Sequence, residues 1–544
     1  MRVNSILVAS LSCLSNGLAA PNGGGRHSDL PIVDLKYELH QAISFNSTRQ
    51  YYNFSNIRYA QPPIGEFRFA APQPPKVDRK EVQKGDLGRI CPQASPAWFA
   101  TQTGFILDYL GIPIPPRNSS SVPSVSIDPR TTEDCLFLDV LVPKKAWDGR
   151  YGQKKAPVLV WIYGGGYTVG EKSSFLGSPV GLLERAENDL VFVSMNYRVG
   201  AFGFLSGPTF QADGGTANAG LLDQRLALQW IQENISKFGG DPDEVTVIGE
   251  SAGGGSIIHH ITAYGGLKGR APFARAIPQS PGFLPTTSSH QQESTFQKYM
   301  SLLNVSTLAE ARRVPSEAVI RANIAQVNES ITGTFAFGPV VDGSFTPALP
   351  GQLLARGQFD KRLDVMHAFN SQEGLLFTPS YVTNEEAFRN YTAISLPTIE
   401  PETLDYLFTE LYPPVFDGST PYKDHIGRAA FSTSESIFIC NTRYLATAYG
   451  GKTFGYEFTI FPGLHGLDLP YTFYDGEPAK VTGNVNIALE HQRAIVSFAK
   501  SGDPGFPVYG ANSTIRIYGS AGVSTARDPN ANKRCDWWQK ALYA

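Results

Sequence analysis

The sequence predicts an α/β fold in which a large, mostly parallel central sheet is flanked by helices. Apolar runs typical of buried strands recur along the chain, at residues 156–163, 190–196, 245–249, 274–278, 363–369 and 453–461. A helical pattern lies between two of these runs, where residues 220–234 carry one apolar side formed by Leu221, Leu222, Leu226, Leu228 and Ile231. Strands of this kind, alternating with amphipathic helices, indicate a sheet that is covered on both faces.

The chain begins with a pattern typical of a secretory signal peptide. Its first twenty residues, MRVNSILVASLSCLSNGLAA, have one Arg, a short apolar centre and small residues at the end. Gly17 and Ala19 fit the small-residue rule, so we expect cleavage after Ala19, with Ala20 as the alternative. Residues 1–19 would then be removed and residues 20–544 would form a secreted protein. No later stretch is apolar for long enough to cross a bilayer.

The charge balance excludes some classes of partner. The chain has 46 Lys and Arg against 49 Asp and Glu, a formal net charge of −3. It therefore lacks the basic excess typical of proteins that bind nucleic acid or an anionic membrane. Asn-x-Ser/Thr sequons suit a glycosylated secreted protein, and they occur at Asn46, Asn53, Asn118, Asn234, Asn304, Asn328, Asn390 and Asn512.

The cysteines agree with an exported protein. One of the five, Cys13, lies in the predicted signal segment, which leaves Cys91, Cys135, Cys440 and Cys535. An even number in an exported chain indicates two disulfides, for which three pairings are possible. No cluster of Cys and His has zinc-site spacing, so we expect no metal.

A Gly-rich turn follows the strand at 245–249, in the segment VTVIGESAGGGS. Such a turn can cradle a phosphate, present a nucleophile or allow tight packing. Gly249 and Gly254 have P-loop spacing, but Gly255 stands where the phosphate-binding Lys would be. The Gly-rich segment at 161–170 likewise misses the dinucleotide-binding pattern, because Val169 replaces its last Gly. Both nucleotide hypotheses are therefore disfavoured.

The same turn matches a nucleophile elbow. Residues 249–253 read Gly-Glu-Ser-Ala-Gly, directly after a strand and before a plausible helix. The sharp turn strains Ser251, and the small residues Gly249 and Gly253 relieve the crowding around it. Ala252 presents a backbone N–H at a helix N-terminus, where an oxyanion is stabilised.

A serine nucleophile needs a base, an acid and further oxyanion donors. The Gly164–Gly166 run follows another strand and can supply donors. His465 and Glu373 each lie in a loop just after a strand, although each can also be read as an ordinary loop residue. The order Ser251, Glu373, His465 is that of α/β-hydrolases. Six other histidines fit less well because they lack strand-end context (His27, His40, His290), point away on the following helix (His259, His260) or lie within a strand (His367).

Ordered sequence blocks over nearly the whole mature chain resemble the type-B carboxylesterase/lipase family, which also contains the cholinesterases, in its secreted, fungal-type form. They are IRYAQPPIGEFRF (57–69), EDCLFLDV (133–140), VWIYGGGYTVG (160–170), NYRVGAFGFL (196–205), NAGLLDQRLALQWIQENISKFGGDPDEVTVIGESAGG (218–254), NSQEG (370–374), HGLDLPYTF (465–473) and FAKSGDP (498–504). The resemblance implies the α/β-hydrolase fold. It also implies a single large domain over residues 20–544.

The resemblance assigns a role to each candidate residue. Ser251 is the expected nucleophile, His465 the base and Glu373 the acid. The backbone N–H groups of Gly165, Gly166 and Ala252 are the expected oxyanion hole. The resemblance also implies a disulfide between Cys91 and Cys135, and a second between Cys440 and the late Cys535 that some cholinesterase relatives carry.

The implied reaction is hydrolysis of carboxylic esters through an acyl-enzyme, with no cofactor and with a small-molecule or lipid ester as the partner. The apolar segment at 97–116 favours hydrophobic or aromatic esters, either as a mobile lid or as a permanently packed wall. Choline esters are disfavoured, because Trp98 follows Cys91 too closely to match the choline-binding Trp of the cholinesterases. Two other functions stay open: an acyltransferase that uses the same triad, and a catalytically silent binding homologue.

Overall fold

A mixed sheet of eleven strands organises the part of the chain that the structure describes. The structure is a computed structural model. It describes residues 30–113, 127–174, 178–481 and 485–544. The predicted signal peptide at 1–19 and the sequon at Asn118 lie outside the described residues.

The strands, in chain order, are β1 Ile32–Asp34, β2 Leu39–Gln41, β3 Ser44–Asn46, β4 Tyr51–Arg58, β5 Val82–Gln83, β6 Phe137–Pro143, β7 Ala156–Ile162, β8 Val191–Met195, β9 Gly240–Glu250, β10 Arg275–Gln279, β11 Asp364–Asn370, β12 Phe454–Phe458, β13 Thr514–Gly519 and β14 Gly522–Arg527. The main sheet has the order β14-β13-β12-β11-β10-β9-β7-β8-β6-β4-β3. Its central strands, from β8 to β13, run parallel, and the pairings at both edges are antiparallel. β1, β2 and β5 form a separate small sheet.

The α-helices are α1 Phe99–Tyr109, α2 Lys144–Asp148, α3 Val180–Arg185, α4 Gly200–Phe204, α5 Pro208–Ala212, α6 Ala219–Asn234, α7 Ala252–Thr262, α8 Ser289–Leu303, α9 Leu308–Ala311, α10 Ser316–Asn328, α11 Pro350–Ala355, α12 Glu385–Ser395, α13 Pro401–Tyr406, α14 His425–Thr433, α15 Cys440–Ala448, α16 Leu469–Thr472, α17 Val485–Ser501 and α18 Lys533–Lys540. Short 3₁₀ turns occur at Gly65–Phe67, Ile235–Phe238, Ala263–Gly266, Glu373–Phe377 and Pro478–Lys480. Two π-helical segments occur at Leu407–Leu411 and Ser434–Ile439. None of the helices in the described ranges is long and apolar enough to cross a membrane.

The predicted α/β class is confirmed, and the apolar runs form the centre of the sheet. Every residue of β8 and β10 is buried, as the continuous apolar pattern predicts for strands covered on both faces. The predicted helix at 220–234 is α6, which begins one residue earlier. β9 is longer than predicted, because it begins at Gly240 in the polar segment Gly-Asp-Pro-Asp-Glu.

Two disulfides close the described chain, and they have the pairing that the family resemblance implies. Cys91 is bonded to Cys135 and Cys440 to Cys535, and all four residues are buried. The second bridge joins α15 to α18. Beside it, the buried carboxylate of Glu435 accepts hydrogen bonds from Arg534 Nε at 2.7 Å and Nη2 at 2.9 Å. The C-terminal helix is therefore tied to the helical segment 434–448 by both a covalent and an ionic contact.

We expect the double substitution Cys440→Ala/Cys535→Ala to lower the free energy of unfolding by about 4–5 kcal/mol. The two cysteines are 95 residues apart in sequence, so the bridge closes a large loop in the unfolded chain. Without the bridge the unfolded chain has more conformational entropy and is therefore favoured. Urea unfolding followed by tryptophan fluorescence checks this. An unchanged midpoint would show that the noncovalent contacts of α18, among them the Glu435–Arg534 ion pair and the Trp538–Tyr412 hydrogen bond, hold the helix without the bridge.

Candidate active site

The candidate residues lie at one edge of the sheet. Gly164–Gly166 follow β7, Ser251 follows β9, Glu373 lies three residues after β11, and His465 lies in the loop after β12. These four strands are all part of the parallel block, so their carboxyl ends point to the same edge. Ligand sites of open α/β sheets lie at this edge.

Ser251 forms a strained turn between β9 and α7. Its backbone has φ 58° and ψ −122°, a conformation that is costly for a residue with a side chain. Hydrogen bonds hold the turn: its N–H donates to Gln279 at 3.0 Å, and its carbonyl accepts from Gly255 at 2.8 Å and from Gly282 at 3.0 Å. The residue is 9% exposed. The strain predicted for a nucleophile elbow is therefore present at this serine.

The glycines around Ser251 allow backbone segments to approach each other. A Cβ atom on Gly253 would lie 2.0 Å from the carbonyl oxygen of Ile162, and one on Gly249 would lie 2.7 Å from the same oxygen. Residue 255 is equally restricted, since a Cβ there would lie 2.4 Å from the carbonyl oxygen of Gly282. The turn can therefore be this tight only because these residues have no side chain.

Three backbone N–H groups beside Ser251 are unpaired. Those of Gly165, Gly166 and Ala252 donate no hydrogen bond to any residue in the described ranges. Gly165 and Gly166 adopt φ values of 109° and 59°, and a Cβ atom on Gly166 would lie 2.1 Å from the ring of Phe335. Both positions therefore require glycine. Unpaired N–H groups at the start of a helix and in a turn of positive φ are suited to bind an oxyanion.

The imidazole of His465 is held by Glu373. Its Nδ1 lies 2.5 Å from Glu373 Oε2, and the other carboxylate oxygen accepts the backbone N–H of Asn370 at 2.5 Å. Phe438 and Phe377 pack on the ring, with centroids 4.4 and 5.1 Å from it. In the neutral imidazole, Nδ1–H donates to Glu373 and Nε2 is left as the acceptor. Nε2 makes no hydrogen bond to another described residue.

Two further buried carboxyl groups, those of Glu250 and Asp468, act on this imidazole, and no motif in the sequence predicts a role for them. Glu250 Oε1 lies 3.3 Å from His465 Nε2. Asp468 accepts hydrogen bonds from Asn370 Nδ2 at 3.2 Å and from Gln279 Nε2 at 3.1 Å. Their positions in the sequence could have indicated a place in the site, since Glu250 directly precedes Ser251 and Asp468 lies three residues after His465.

Burial and charge shift the pKa values of this cluster. Burial raises the pKa of Glu250 well above its ordinary value, although the imidazolium of His465 opposes the shift. Burial and the Glu373 charge raise the pKa of Asp468 to about 6. For His465, burial lowers the pKa, but the charges of Glu250 and Glu373 outweigh it and hold the pKa above the ordinary value. Perturbed groups of this kind cluster at catalytic sites.

Three of the other candidate histidines, His259, His260 and His367, do not join the cluster. His260 Nε2 lies 3.0 Å from Gln224 and His259 Nδ1 3.2 Å from Thr346, and burial lowers the pKa of both imidazoles. His367 lies buried within β11, as the sequence predicts. His27 lies outside the described residues. Within the described ranges, no group of three His, Cys, Asp or Glu residues is arranged to hold a metal ion.

A cavity of about 770 Å³, its open mouth included, lies against Ser251. Its walls are largely aromatic and apolar, with a few neutral polar side chains: Gly166, Tyr167, Phe204, Ser206, Ser251, Ala252, Gly282, Phe283, Leu284, Thr286, Gln291, Gln292, Thr295, Gly333, Phe335, Ala336, Phe337, Gly338, Val340, Phe377, Ile437 and Phe438. A concave, mostly apolar site with a few polar groups is typical of a small-molecule pocket.

The predicted apolar excursion packs behind this cavity. Its described part contains α1, which buries Ile106 and Leu107. Gln102 Nε2 donates to the carbonyl of Thr378 at 2.8 Å, and Trp98 Nε1 donates to that of Thr334 at 3.0 Å. The Trp98 ring also contacts Phe335, with centroids 5.8 Å apart. The described part of the segment, residues 97–113, is therefore packed against its neighbours in this structure.

The chain is similar to known esterases along most of its length. The model of the carboxylesterase family matches residues 41–516. The chain is 41% identical to a carboxylesterase, patB, of Aspergillus clavatus, over 97% of this chain and 99% of that one. It is 30% identical to lipase 1 of Geotrichum candidum, over 83% and 84% of the two chains. The crystal structure of EstA from Aspergillus niger has the same fold, with a TM-score of 0.79 at 24% identity, over 94% of this chain and 98% of that one.

We expect Glu250→Gln to lower the pKa of His465 by about 1–3 units, because it removes a negative charge that stabilises the imidazolium. An NMR titration of the imidazole, assigned by loss of its signal in His465→Gln, measures this. Glu457→Gln is the matched control, since Glu457 is a half-buried carboxyl of β12 that is absent from the groups acting on His465. An unshifted pKa in Glu250→Gln would contradict the electrostatic account.

Proposed function

The chain belongs to the carboxylesterase family and is a carboxylic ester hydrolase, and from this premise we propose that Ser251, His465 and Glu373 form its catalytic triad. One observation carries the proposal. The Glu373–His465 contact leaves an unpaired imidazole nitrogen at the sheet edge where Ser251 lies in a strained turn. The unpaired N–H groups of Gly165, Gly166 and Ala252 support the assignment of the oxyanion hole.

In the proposed acylation step, His465 Nε2 takes the hydroxyl proton of Ser251 as the Oγ atom attacks the ester carbonyl. The carbonyl oxygen becomes an oxyanion and accepts hydrogen bonds from the three backbone N–H groups. Glu373 keeps the imidazole in the tautomer that presents Nε2 as an acceptor, and it stabilises the imidazolium once that forms. The C–O bond to the alcohol then breaks, and the imidazolium returns its proton to the departing oxygen.

Deacylation repeats these steps with water as the nucleophile. His465 takes a proton from the water as its oxygen attacks the acyl-enzyme carbonyl, and then returns that proton to Ser251 Oγ. The products are a carboxylic acid and an alcohol, and no cofactor enters the reaction. The aromatic walls of the cavity support hydrophobic or aromatic esters as the substrate class.

We also propose that the mature protein is a secreted glycoprotein with one domain over residues 20–544. The eleven-stranded sheet and the two disulfides support this. Asn304, Asn390 and Asn512 are exposed and accessible to a glycan. Asn234 is left out of the proposed sites, because it is 6% exposed and its Nδ2 donates to the carbonyl of Trp230 at 3.0 Å.

We expect Ser251→Ala to lower kcat for p-nitrophenyl butyrate by about four orders of magnitude or more, because no other group then forms the acyl-enzyme. Release of p-nitrophenol measures the rate, and an unchanged melting temperature shows that the variant folds. Activity close to that of the unsubstituted enzyme would overturn the proposed nucleophile.

We expect Gly166→Ala to lower kcat for the same ester by about 10²–10³-fold, the effect of losing one oxyanion donor. The added methyl group would overlap the Phe335 ring and displace the N–H. Gly450→Ala is the matched control: Gly450 has a similar φ of 64°, and a Cβ there meets nothing within 4 Å. An equal loss in both variants would assign the effect to backbone strain instead of the oxyanion hole.

A further inference from the structure

We propose, resting on the proposed function, that the cavity beside Ser251 selects a neutral acyl group whose ring carries a hydrogen-bonding oxygen at its far end. Ser206 and Gln292 would recognise that oxygen. Three features of the cavity support this: it lies beside the acyl carbon that Ser251 attacks, its walls are aromatic, and Ser206 and Gln292 leave polar atoms without a described partner.

The cavity takes the acyl half of the ester. Its lining includes Ser251 together with Gly166 and Ala252, the residues beside the developing oxyanion. His465 and Glu250 are absent from the described lining, and the imidazole lies behind the rings of Phe377 and Phe438, which line the cavity. The leaving oxygen must receive its proton from His465 Nε2, so the alcohol departs on the side of the imidazole. The other half of the ester therefore extends into the cavity.

The walls suit a ring. Seven aromatic side chains line the cavity: Tyr167, Phe204, Phe283, Phe335, Phe337, Phe377 and Phe438. Several of them hold each other in place, as in the edge-on pair Tyr167–Phe204 at 5.0 Å and the pair Phe335–Phe377 at 6.3 Å. Aromatic walls offer faces and edges against which a flat acyl group packs.

One side of the cavity is polar and incompletely paired. Ser206 is 3% exposed, and its hydroxyl makes no hydrogen bond to a residue of the described ranges. Gln292 is 4% exposed; its Nε2 donates to the carbonyl of Val341 at a long 3.4 Å, and its Oε1 has no described partner. Both residues line the same cavity, and their backbones approach each other there, since a Cβ on Gly207 would lie 3.3 Å from the backbone carbonyl oxygen of Gln292.

Unpaired polar groups favour a ligand that pairs them. Ser206 Oγ and Gln292 Oε1 are not among the fully buried atoms without a partner, and both residues line the cavity. An apolar group bound against them would leave them without a hydrogen bond, whereas a substrate oxygen would pair them, so the oxygen gains more than an apolar group of the same size. Gln291, Thr286 and Thr295 add neutral polar groups to the same cavity. We therefore infer a hydroxyl or carbonyl group on the substrate ring.

The acyl group must also be neutral. None of the described residues that line the cavity is an acid, a base or a histidine. A carboxylate or an ammonium group would lose its hydration there without gaining a counter-ion. The cavity therefore discriminates against charged acyl groups as well as against purely apolar ones.

Matched p-nitrophenyl esters test this inference. We compare 3- and 4-hydroxybenzoates with 3- and 4-methylbenzoates and with the 4-carboxybenzoate, and we divide each kcat/KM by the rate of hydroxide hydrolysis of the same ester. At one ring position or both, we expect the hydroxy ester to exceed the methyl ester by about tenfold. The carboxy ester should be the slowest.

Variants then locate the recognition. Gln292→Met keeps the side-chain length and removes the amide, and we expect it to bring the hydroxy-to-methyl ratio close to one; Ser206→Ala should lower the same ratio. Gln297→Met is the matched control, because Gln297 is an exposed residue of the same helix, α8, outside the cavity lining. It should leave the ratio unchanged. Melting temperatures show that each variant folds.

Hydroxy esters that are no faster than methyl esters at either position, or a ratio that survives Gln292→Met, would overturn the inference. So would failure to cleave any benzoate by an enzyme that cleaves p-nitrophenyl butyrate, although the proposed function would then stand. Cleavage of the butyrate by Ser251→Ala would instead contradict the proposed function itself.

Discussion

The backbone conformation of Ser251 is the constraint on which the rest of the candidate site depends. A backbone conformation of φ 58° and ψ −122° is costly for a residue with a side chain. The turn persists because the Ser251 N–H donates to Gln279 in β10 and its carbonyl accepts from Gly255 and Gly282. Because Gly249 and Gly253 have no side chain, the carbonyl oxygen of Ile162 can approach that turn. Without this close packing the serine would relax into an ordinary turn and lose its position at the start of α7.

Electrostatics place a second demand on the site. Glu250, Glu373 and Asp468 bring three carboxyl groups around one imidazole in a buried volume. Hydrogen bonds stabilise two of these groups, since Asn370 donates to both Glu373 and Asp468 and Gln279 donates to Asp468. Glu250 Oε1 has no hydrogen-bond partner, and the charge of the His465 imidazolium, 3.3 Å away, stabilises this carboxylate instead. The negative charges of Glu250 and Glu373 hold the pKa of the His465 imidazole above that of a free histidine, although burial opposes them.

The sequence predicts the centre of this protein better than its edges. The apolar runs found β7, β8, β10, β11 and β12 to within a few residues, because strands buried on both faces must be continuously apolar. The sequence does not predict β1 to β6 or the β13–β14 hairpin. Most of these strands are short or half-exposed, so their sequences mix apolar and polar residues instead of forming a continuous apolar run. The residues proposed for the triad stand in recognisable motifs. Phe335, Phe438, Ser206 and Gln292 do not, because what they contact depends on loops distant in sequence.

The link between α18 and the segment 434–448 extends the support of the candidate site beyond the parallel strands. The segment carries Phe438, which packs on His465, and it is held by the Arg534–Glu435 ion pair and the Cys440–Cys535 bridge. One wall of the imidazole therefore rests on a helix that contributes no residue to the candidate site. A cysteine oxidation far from Ser251 in sequence thus contributes to the rigidity of the imidazole's surroundings.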